Sequence, residues 1–152
     1  MEKADVLKSI RSARRAHIIW VDRAKALVNG LAIRKEQIPL EVTECDFGKW
    51  FYCDGQILLS IFTERAVKKL DTKHKELHDT YMKIFKIYFP LTKRSLLAKL
   101  LKKRKKITAN DEYNALVYLG ELEKTSDEMV SYLNIIEKKL NSIDEAKFRT
   151  LY

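Results

Sequence analysis

The sequence predicts an all-α fold, an antiparallel four-helix bundle with a short extra helix that carries a cysteine motif. Only four Gly and two Pro occur among 152 residues, whereas turn-rich β folds need many such residues. Apolar residues recur at helical spacing along three long segments and one shorter one. The length fits one domain that buries its own core, so we expect residues 1–152 to form a single unit.

The first long helix is predicted from about Lys3 to Asn29. Gly30 is well suited to end this helix, because glycine adopts a positive φ without a Cβ penalty. Residues 31–46 contain Pro39 and lack a sustained apolar period, which predicts a connecting loop.

The middle of the chain predicts a short helix followed by a long one. The short helix covers Phe47–Cys53 and is expected to end at the turn dipeptide Asp54-Gly55. The apolar run 56–62 fits neither a helix nor a strand clearly. A second long helix is predicted from about Thr63 to Phe89, and Pro90 stops it.

The last third of the chain predicts a short basic helix and a third long helix. The basic helix covers about residues 93–106, with four leucines on one side. Thr108 or Asn110 is a suitable N-cap for the long helix. The predicted apolar stripe of this helix consists of Tyr113, Leu116, Leu119, Val130, Leu133, Ile136 and Leu140.

The positive charge is concentrated in one segment. The formal net charge is +9, yet residues 81–109 contain no Asp or Glu and ten of the 30 Lys and Arg residues. We favour a solvated helix surface here; an acidic protein partner is the next interpretation. Nucleic acid or an anionic membrane is less favoured, because arginine-rich or aromatic interleaving is missing. The candidate anion-binding residues are Lys99, Lys102, Lys103, Arg104, Lys105 and Lys106.

The composition also indicates where the protein works. Two cysteines cannot support a disulfide-stapled secreted scaffold, which favours a reducing cytoplasm. No apolar run approaches the roughly 20 residues that a membrane span requires, and the first residues show no signal-peptide pattern. We therefore expect a cytoplasmic protein.

All three histidines fall on predicted apolar stripes. His74 and His78 are four residues apart, a spacing that places both imidazoles on one helix face with Cβ atoms about 6 Å apart. Two such imidazoles can bind one metal ion, although a buried histidine taken alone is more often a hydrogen-bonded structural residue. A zinc protease has Glu directly after the first histidine of such a pair, but Lys75 follows His74 here, so a hydrolytic zinc site is not indicated. A di-iron site is not indicated either, because it needs more carboxylates that face the core.

Cys45 adds a fourth candidate ligand to His17, His74 and His78. It begins the run Cys-Asp-Phe-Gly-Lys-Trp-Phe at the expected start of the short helix, where a helix N-terminus lowers the pKa of a thiol. Three imidazoles and one thiolate form a tetrahedral zinc set without an open position for a catalytic water. This composition predicts a structural or regulatory site and no enzyme. We interpret Cys53, eight residues later, as a small packing residue.

These motifs resemble the chemoreceptor zinc-binding (CZB) domain of bacterial signalling proteins. That family has a His on the first helix, a Cys-x-Leu/Phe-Gly-x-Trp-Tyr/Phe motif and a His-x3-His pair on a later helix. The resemblance spans about residues 3–140 and implies that zinc is held by His17, Cys45, His74 and His78. The residues expected to shield this site from water are Trp20, Phe47, Gly48, Trp50 and Phe51.

The resemblance also implies a signalling role. Such domains stand alone or are attached to chemoreceptors or diguanylate cyclases, and Cys45 would respond to hypochlorous acid or to zinc supply. It further implies a homodimer with a chemoreceptor, cyclase or other signalling partner and no small-molecule substrate. The alternative is a structural zinc bundle that acts as a basic adaptor for an acidic partner or an anionic surface.

Overall fold

The computed structural model describes residues 2–31, 41–89 and 106–151, and these residues contain helices and no strand. The prediction of an all-α helical bundle is confirmed. A 3₁₀ turn at Asp54–Ile57 lies between the second and third helices. The helices are α1 Lys3–Val28, α2 Asp46–Phe51, α3 Leu58–Ile61, α4 Glu64–Tyr88, α5 Ala109–Asn141 and α6 Glu145–Arg149.

The long helices have capping residues at their ends, and the sequence indicates Gly30 and Thr108 among them. Thr63 is the N-cap of α4, and its side chain accepts a hydrogen bond from the backbone of Ala66. Thr108 begins α5 in a capping box with Asp111. Gly30 follows the C-cap of α1 and has a φ of 79°.

Helix α5 packs against both α1 and α4. Ion pairs connect α1 to α5 with N–O distances of 2.6 Å for Arg14–Glu137 and 2.8 Å for Lys25–Glu123. The residue number on α5 falls as that on α1 rises, so the two helices are antiparallel.

The pairing of α4 with α5 follows the same pattern. Lys73 lies 2.8 Å from Glu128, and the Lys83 ammonium lies 5.2 Å from the Tyr118 ring centroid. Helices α1 and α4 are therefore parallel to each other and antiparallel to α5. They contact α5 far more extensively than they contact each other. A site with ligands from both α1 and α4 therefore connects two helices that pack mainly against α5 and only slightly against each other.

The core face of α5 differs from the prediction in its first half. Tyr113 and Leu116 were expected to face the core, but they are 66% and 58% exposed. The first half of α5 has apolar residues on two faces. The face that packs against α1 and α4 is the one that does not contain Tyr113 and Leu116. The predicted Leu133, Ile136 and Leu140 are buried. The buried positions of α5 are Ala115, Leu122, Ser126, Met129, Leu133, Ile136 and Leu140.

Two other expectations are corrected near the short helix and at the end of the chain. Asp54-Gly55 starts a 3₁₀ turn instead of ending the helix, and Cys53 is exposed instead of packed. Beyond the expected last helix, α6 folds back and buries Phe148 completely.

The predicted basic helix, residues 93–106, lies outside the described residues except for Lys106, which is exposed. The candidate anion-binding residues 99 and 102–105 are therefore not described either. Among the helices that are described, none combines the length and apolar character that a bilayer span needs.

We predict opposite outcomes for two leucines on α5. Leu122→Ala removes a fully buried side chain and should lower the free energy of unfolding by about 2–5 kcal/mol. Leu116→Ala, on the exposed face of the same helix, should change it by less than about 0.5 kcal/mol. Chemical denaturation of both variants measures this difference, and equal effects would contradict the observed orientation of α5.

Candidate metal centre

Four buried side chains converge between α1, α2 and α4: His17, Cys45, His74 and His78. Each offers one ligand atom, and these atoms all lie within 4.8 Å of one another. No other group of at least three His, Cys, Asp or Glu side chains with this geometry is found in the described part of the chain. The structure thus brings together the whole set that the sequence indicates.

Each ligand candidate is positioned by a different local feature. His17 lies on α1, while His74 and His78 occupy successive turns of α4. Cys45 is the N-cap of α2, and its Sγ accepts a hydrogen bond from the Gly48 backbone N–H at 3.1 Å. The same Sγ lies 3.2 Å from Nε2 of His74.

The hydrogen bonding of His17 fits a metal ligand. Its Nδ1 lies 2.6 Å from the carbonyl oxygen of Ala13, which only accepts hydrogen bonds, so Nδ1 carries the proton. Nε2 is then left with a lone pair, and this buried atom has no hydrogen-bond partner. An unsatisfied buried polar atom is costly, and a metal ion would satisfy it. The donor set therefore fits zinc, which accepts imidazole and thiolate ligands in tetrahedral geometry.

Two of the cluster histidines are in the protonation state that metal binding requires. Burial lowers the pKa of His17 to about 4. Burial, followed by the neighbouring His78 and His17, lowers the pKa of His74 to about 2. Both imidazoles are neutral at pH 7, and a neutral imidazole is the form that coordinates metals.

The expected lowering of the Cys45 pKa by the helix start is wrong for the metal-free chain. Burial raises the pKa of the Cys45 thiol and outweighs the hydrogen bonds from the Gly48 and Phe47 backbones. A bound cation is therefore needed to hold this sulfur as a thiolate at neutral pH. Proton release from Cys45 and metal binding are coupled.

Aromatic rings surround the cluster. The Phe47 ring lies 4.8 Å from the His74 ring, and the Trp20 ring lies 4.6 Å from the His78 ring. Phe51 stacks on Phe47 behind this layer. Trp50 is partly buried, and its ring contacts the Phe47 ring.

Gly48 is required by the approach of the preceding loop. A Cβ at this position would lie 1.7 Å from the carbonyl oxygen of Val42, a backbone atom that cannot move aside easily. The backbone that approaches Gly48 belongs to the turn that leads to Cys45. The glycine therefore sets the path of the chain on both sides of the sulfur.

Sequence reasoning missed a polar link beside the cluster. The Tyr52 hydroxyl donates a hydrogen bond to Asp71 at 2.7 Å, and Lys75 pairs with the other oxygen of that carboxylate at 2.6 Å. This link ties the C-terminal end of α2 to α4. Tyr52 and Asp71 lie on different elements, so no helical spacing could have paired them.

Comparison with known proteins finds a family that part of this chain resembles. Residues 17–85, a little under half of the chain, match the model of the chemoreceptor zinc-binding domain family. The match contains all four cluster residues, and it confirms the resemblance inferred from the sequence over this range. The family is a sensory and regulatory zinc-binding class, and zinc is the cofactor of this domain. No curated protein and no solved structure matches the chain.

We predict that Gly48→Ala disturbs the centre and that Gly120→Ala does not. The added Cβ at residue 48 meets the Val42 carbonyl and should cost about 1–3 kcal/mol in stability and weaken zinc binding. Gly120 lies within α5 with open space around it, so its replacement should stabilise the helix by roughly 0.5–1 kcal/mol. Thermal unfolding and competitive zinc titration measure both effects; unchanged zinc affinity in Gly48→Ala would contradict the proposed constraint.

We also predict that the metal-free protein loses stability as the pH falls from about 6.5 to about 4. The pKa of His17 is lowered to about 4 in the folded state, so the unfolded chain binds the proton first. The stabilising effect is fully present above the unfolded pKa and is lost on acidification. All three histidines of the chain belong to the cluster, so a His17→Leu variant should show a shallower slope. Denaturant unfolding in the presence of a chelator, repeated across this pH range, measures the free energy of unfolding. A wild-type free energy that does not change with pH would contradict the account.

Proposed function

We propose that this protein is a cytoplasmic zinc sensor domain of bacterial signalling, with the zinc ion held by His17, Cys45, His74 and His78. The observation that carries the proposal is the convergence of three imidazoles and one thiol within 4.8 Å. The four ligands come from three separate elements, so occupancy of the centre is coupled to their relative positions. Four protein ligands leave no open position for substrate, which favours regulation over catalysis.

Cys45 is the group that would sense oxidants. Zinc, when bound, keeps a sulfur in the thiolate form that reacts with electrophiles. Hypochlorous acid would transfer chlorine to Sγ: the S–Cl bond forms as the Cl–O bond breaks, and hydroxide leaves. Water then displaces chloride and loses a proton to the solvent, which gives the sulfenic acid, so sulfur loses two electrons and chlorine gains them. The oxidised sulfur is a poorer ligand.

The consequence of this oxidation follows from the position of Cys45 in the fold. Helices α1 and α4 are both supported by α5, whereas Cys45 belongs to the short α2 between them. Loss of the sulfur ligand would free the start of α2, while the Tyr52–Asp71 hydrogen bond would still tether its end. The proposed conformational change is therefore a movement of the Cys45 segment against a stable framework of long helices.

We propose a second copy of this chain and a chemoreceptor, cyclase or other signalling protein as the partners. An exposed apolar patch on α5 supports this proposal, because it is a candidate protein-binding surface on the helix that packs against both α1 and α4. Exposed apolar patches of this kind on a protein surface commonly mark interaction sites. The patch consists of Tyr113, Leu116 and Val117.

A structural zinc bundle that serves as a basic adaptor is the second candidate. The burial of Cys45, which is 5% exposed, favours this alternative because a buried thiol reacts slowly. The two functions differ in their response to mild oxidant. A sensor releases zinc and keeps its long helices, whereas a structural centre either ignores the oxidant or unfolds when zinc is lost.

We predict that stoichiometric hypochlorous acid releases zinc from the wild-type protein and from Cys53→Ser. Cys53 is the matched control, because it is the other thiol of the chain and is exposed. Cys45→Ser should bind zinc at least about 10-fold more weakly and lose the oxidant response. A chromogenic chelator measures the release, and circular dichroism follows the helices. Retention of zinc after oxidation of wild-type protein would exclude the sensing function.

A further inference from the structure

A groove between α1 and α2 opens onto the cluster from the solvent. It has a volume of about 250 Å³, and both His17 and Cys45 contribute to its wall. Its outer wall includes the exposed Ile19 and Asp46, so the groove connects the buried ligands to the surface. The other lining residues are Ala16, Trp20, Arg23 and Phe47.

A neighbouring groove shows that this connection is specific. It has a volume of about 340 Å³ and lies against α1 and the start of α2, where Ala13 and Phe47 line it. None of the four cluster residues is part of its wall. Phe47 thus contributes to both grooves, and only the one beside Ile19 leads to the sulfur.

We propose that small uncharged electrophiles reach Cys45 through the groove beside Ile19 and that this side chain determines their access. The inference rests on the proposed function only in taking Cys45 as the reactive group. Arg23 and Asp46 carry opposite charges, so the groove does not select strongly for one sign of charge. The apolar rings of Trp20 and Phe47 also line the groove, and they disfavour a charged reagent without a partner.

The size of the groove limits which reagents pass. A volume of about 250 Å³ corresponds to about eight water molecules, each of which occupies about 30 Å³ in the liquid. Hypochlorous acid and hydrogen peroxide fit this space readily. A bulky charged disulfide such as oxidised glutathione does not, so the site distinguishes small oxidants from the thiol–disulfide pool.

The chain offers a matched pair of positions for testing this route. Ile18 and Ile19 are adjacent on α1 and are 45% and 42% exposed. Ile19 lines the groove that leads to Cys45, whereas Ile18 lines a different depression between α1 and α5. Substitution of either residue by Trp adds the same volume to the same helix, but only Ile19→Trp narrows the access to the sulfur.

The experiment measures alkylation of the zinc-loaded protein by iodoacetamide, a small uncharged electrophile. Trypsin separates the two thiols, because Cys45 falls in peptide 36–49 and Cys53 in peptide 50–65. The exposed Cys53 serves as an internal reference for reagent concentration and intrinsic reactivity. Iodoacetate, of similar size but negatively charged, tests the charge selection against the same reference.

We expect Ile19→Trp to slow the alkylation of Cys45 about tenfold relative to Cys53, which corresponds to a barrier increase of about 1.4 kcal/mol. Ile18→Trp should leave this ratio unchanged, and Ile19→Ala should raise it. Zinc content measured before the reaction shows that the centre is intact in each variant. Equal ratios in the Ile18→Trp and Ile19→Trp variants would overturn the proposal and show that reagents enter by local opening of α2.

The outcomes separate this inference from the sensing function. If Ile19→Trp slows alkylation but hypochlorous acid releases no zinc from the wild-type protein, the access route stands and the sensing function fails. If the oxidant releases zinc through Cys45 at the same rate in both Trp variants, the sensing function stands and the access route fails.

Discussion

The burial of four metal-binding side chains at one point constrains the rest of the structure. Neutral imidazoles and a thiol have been removed from water between α1, α2 and α4, and the buried Nε2 of His17 has no hydrogen-bond partner. An unsatisfied buried polar atom costs about 1–3 kcal/mol. The arrangement is therefore unfavourable as a plain core and favourable as a centre for a cation that accepts nitrogen and sulfur ligands.

This constraint accounts for the local structure around the four side chains. The Ala13 carbonyl fixes the protonated nitrogen of His17, and the other nitrogen is left for the ion. Gly48 lets the Val42 carbonyl approach so closely that Cys45 becomes the N-cap of α2. Helix α5 supports α1 and α4 independently of the centre, so changes at Cys45 need not dissolve the bundle.

The sequence predicted the parts of the structure that local periodicity and spacing determine. The bounds of α1 and α4 follow from apolar stripes with Gly30 and Thr63 at their ends. The His-x3-His spacing predicts a shared face because it is a property of a single helix. The convergence with Cys45 depended on recognising a family pattern, since no local rule brings residues 17, 45 and 74 together.

The remaining features depend on tertiary packing, which a single sequence does not encode locally. Helix α5 has two apolar faces, and packing against α1 and α4 buries only one of them, so Leu122 is buried and Leu116 is exposed. The Cys45 pKa was misjudged because burial competes with the helix start, and burial is known only from the fold. The Tyr52–Asp71 hydrogen bond and the groove beside Ile19 likewise join residues of different elements.

X-ray absorption at the zinc edge tests the central claim most directly. The account predicts one sulfur ligand at about 2.3 Å and three nitrogen ligands at about 2.0–2.1 Å in the zinc-loaded protein. The sulfur contribution should disappear after oxidation of Cys45 or in Cys45→Ser. A shell without sulfur in the untreated protein, or one dominated by oxygen ligands, would contradict the proposed centre.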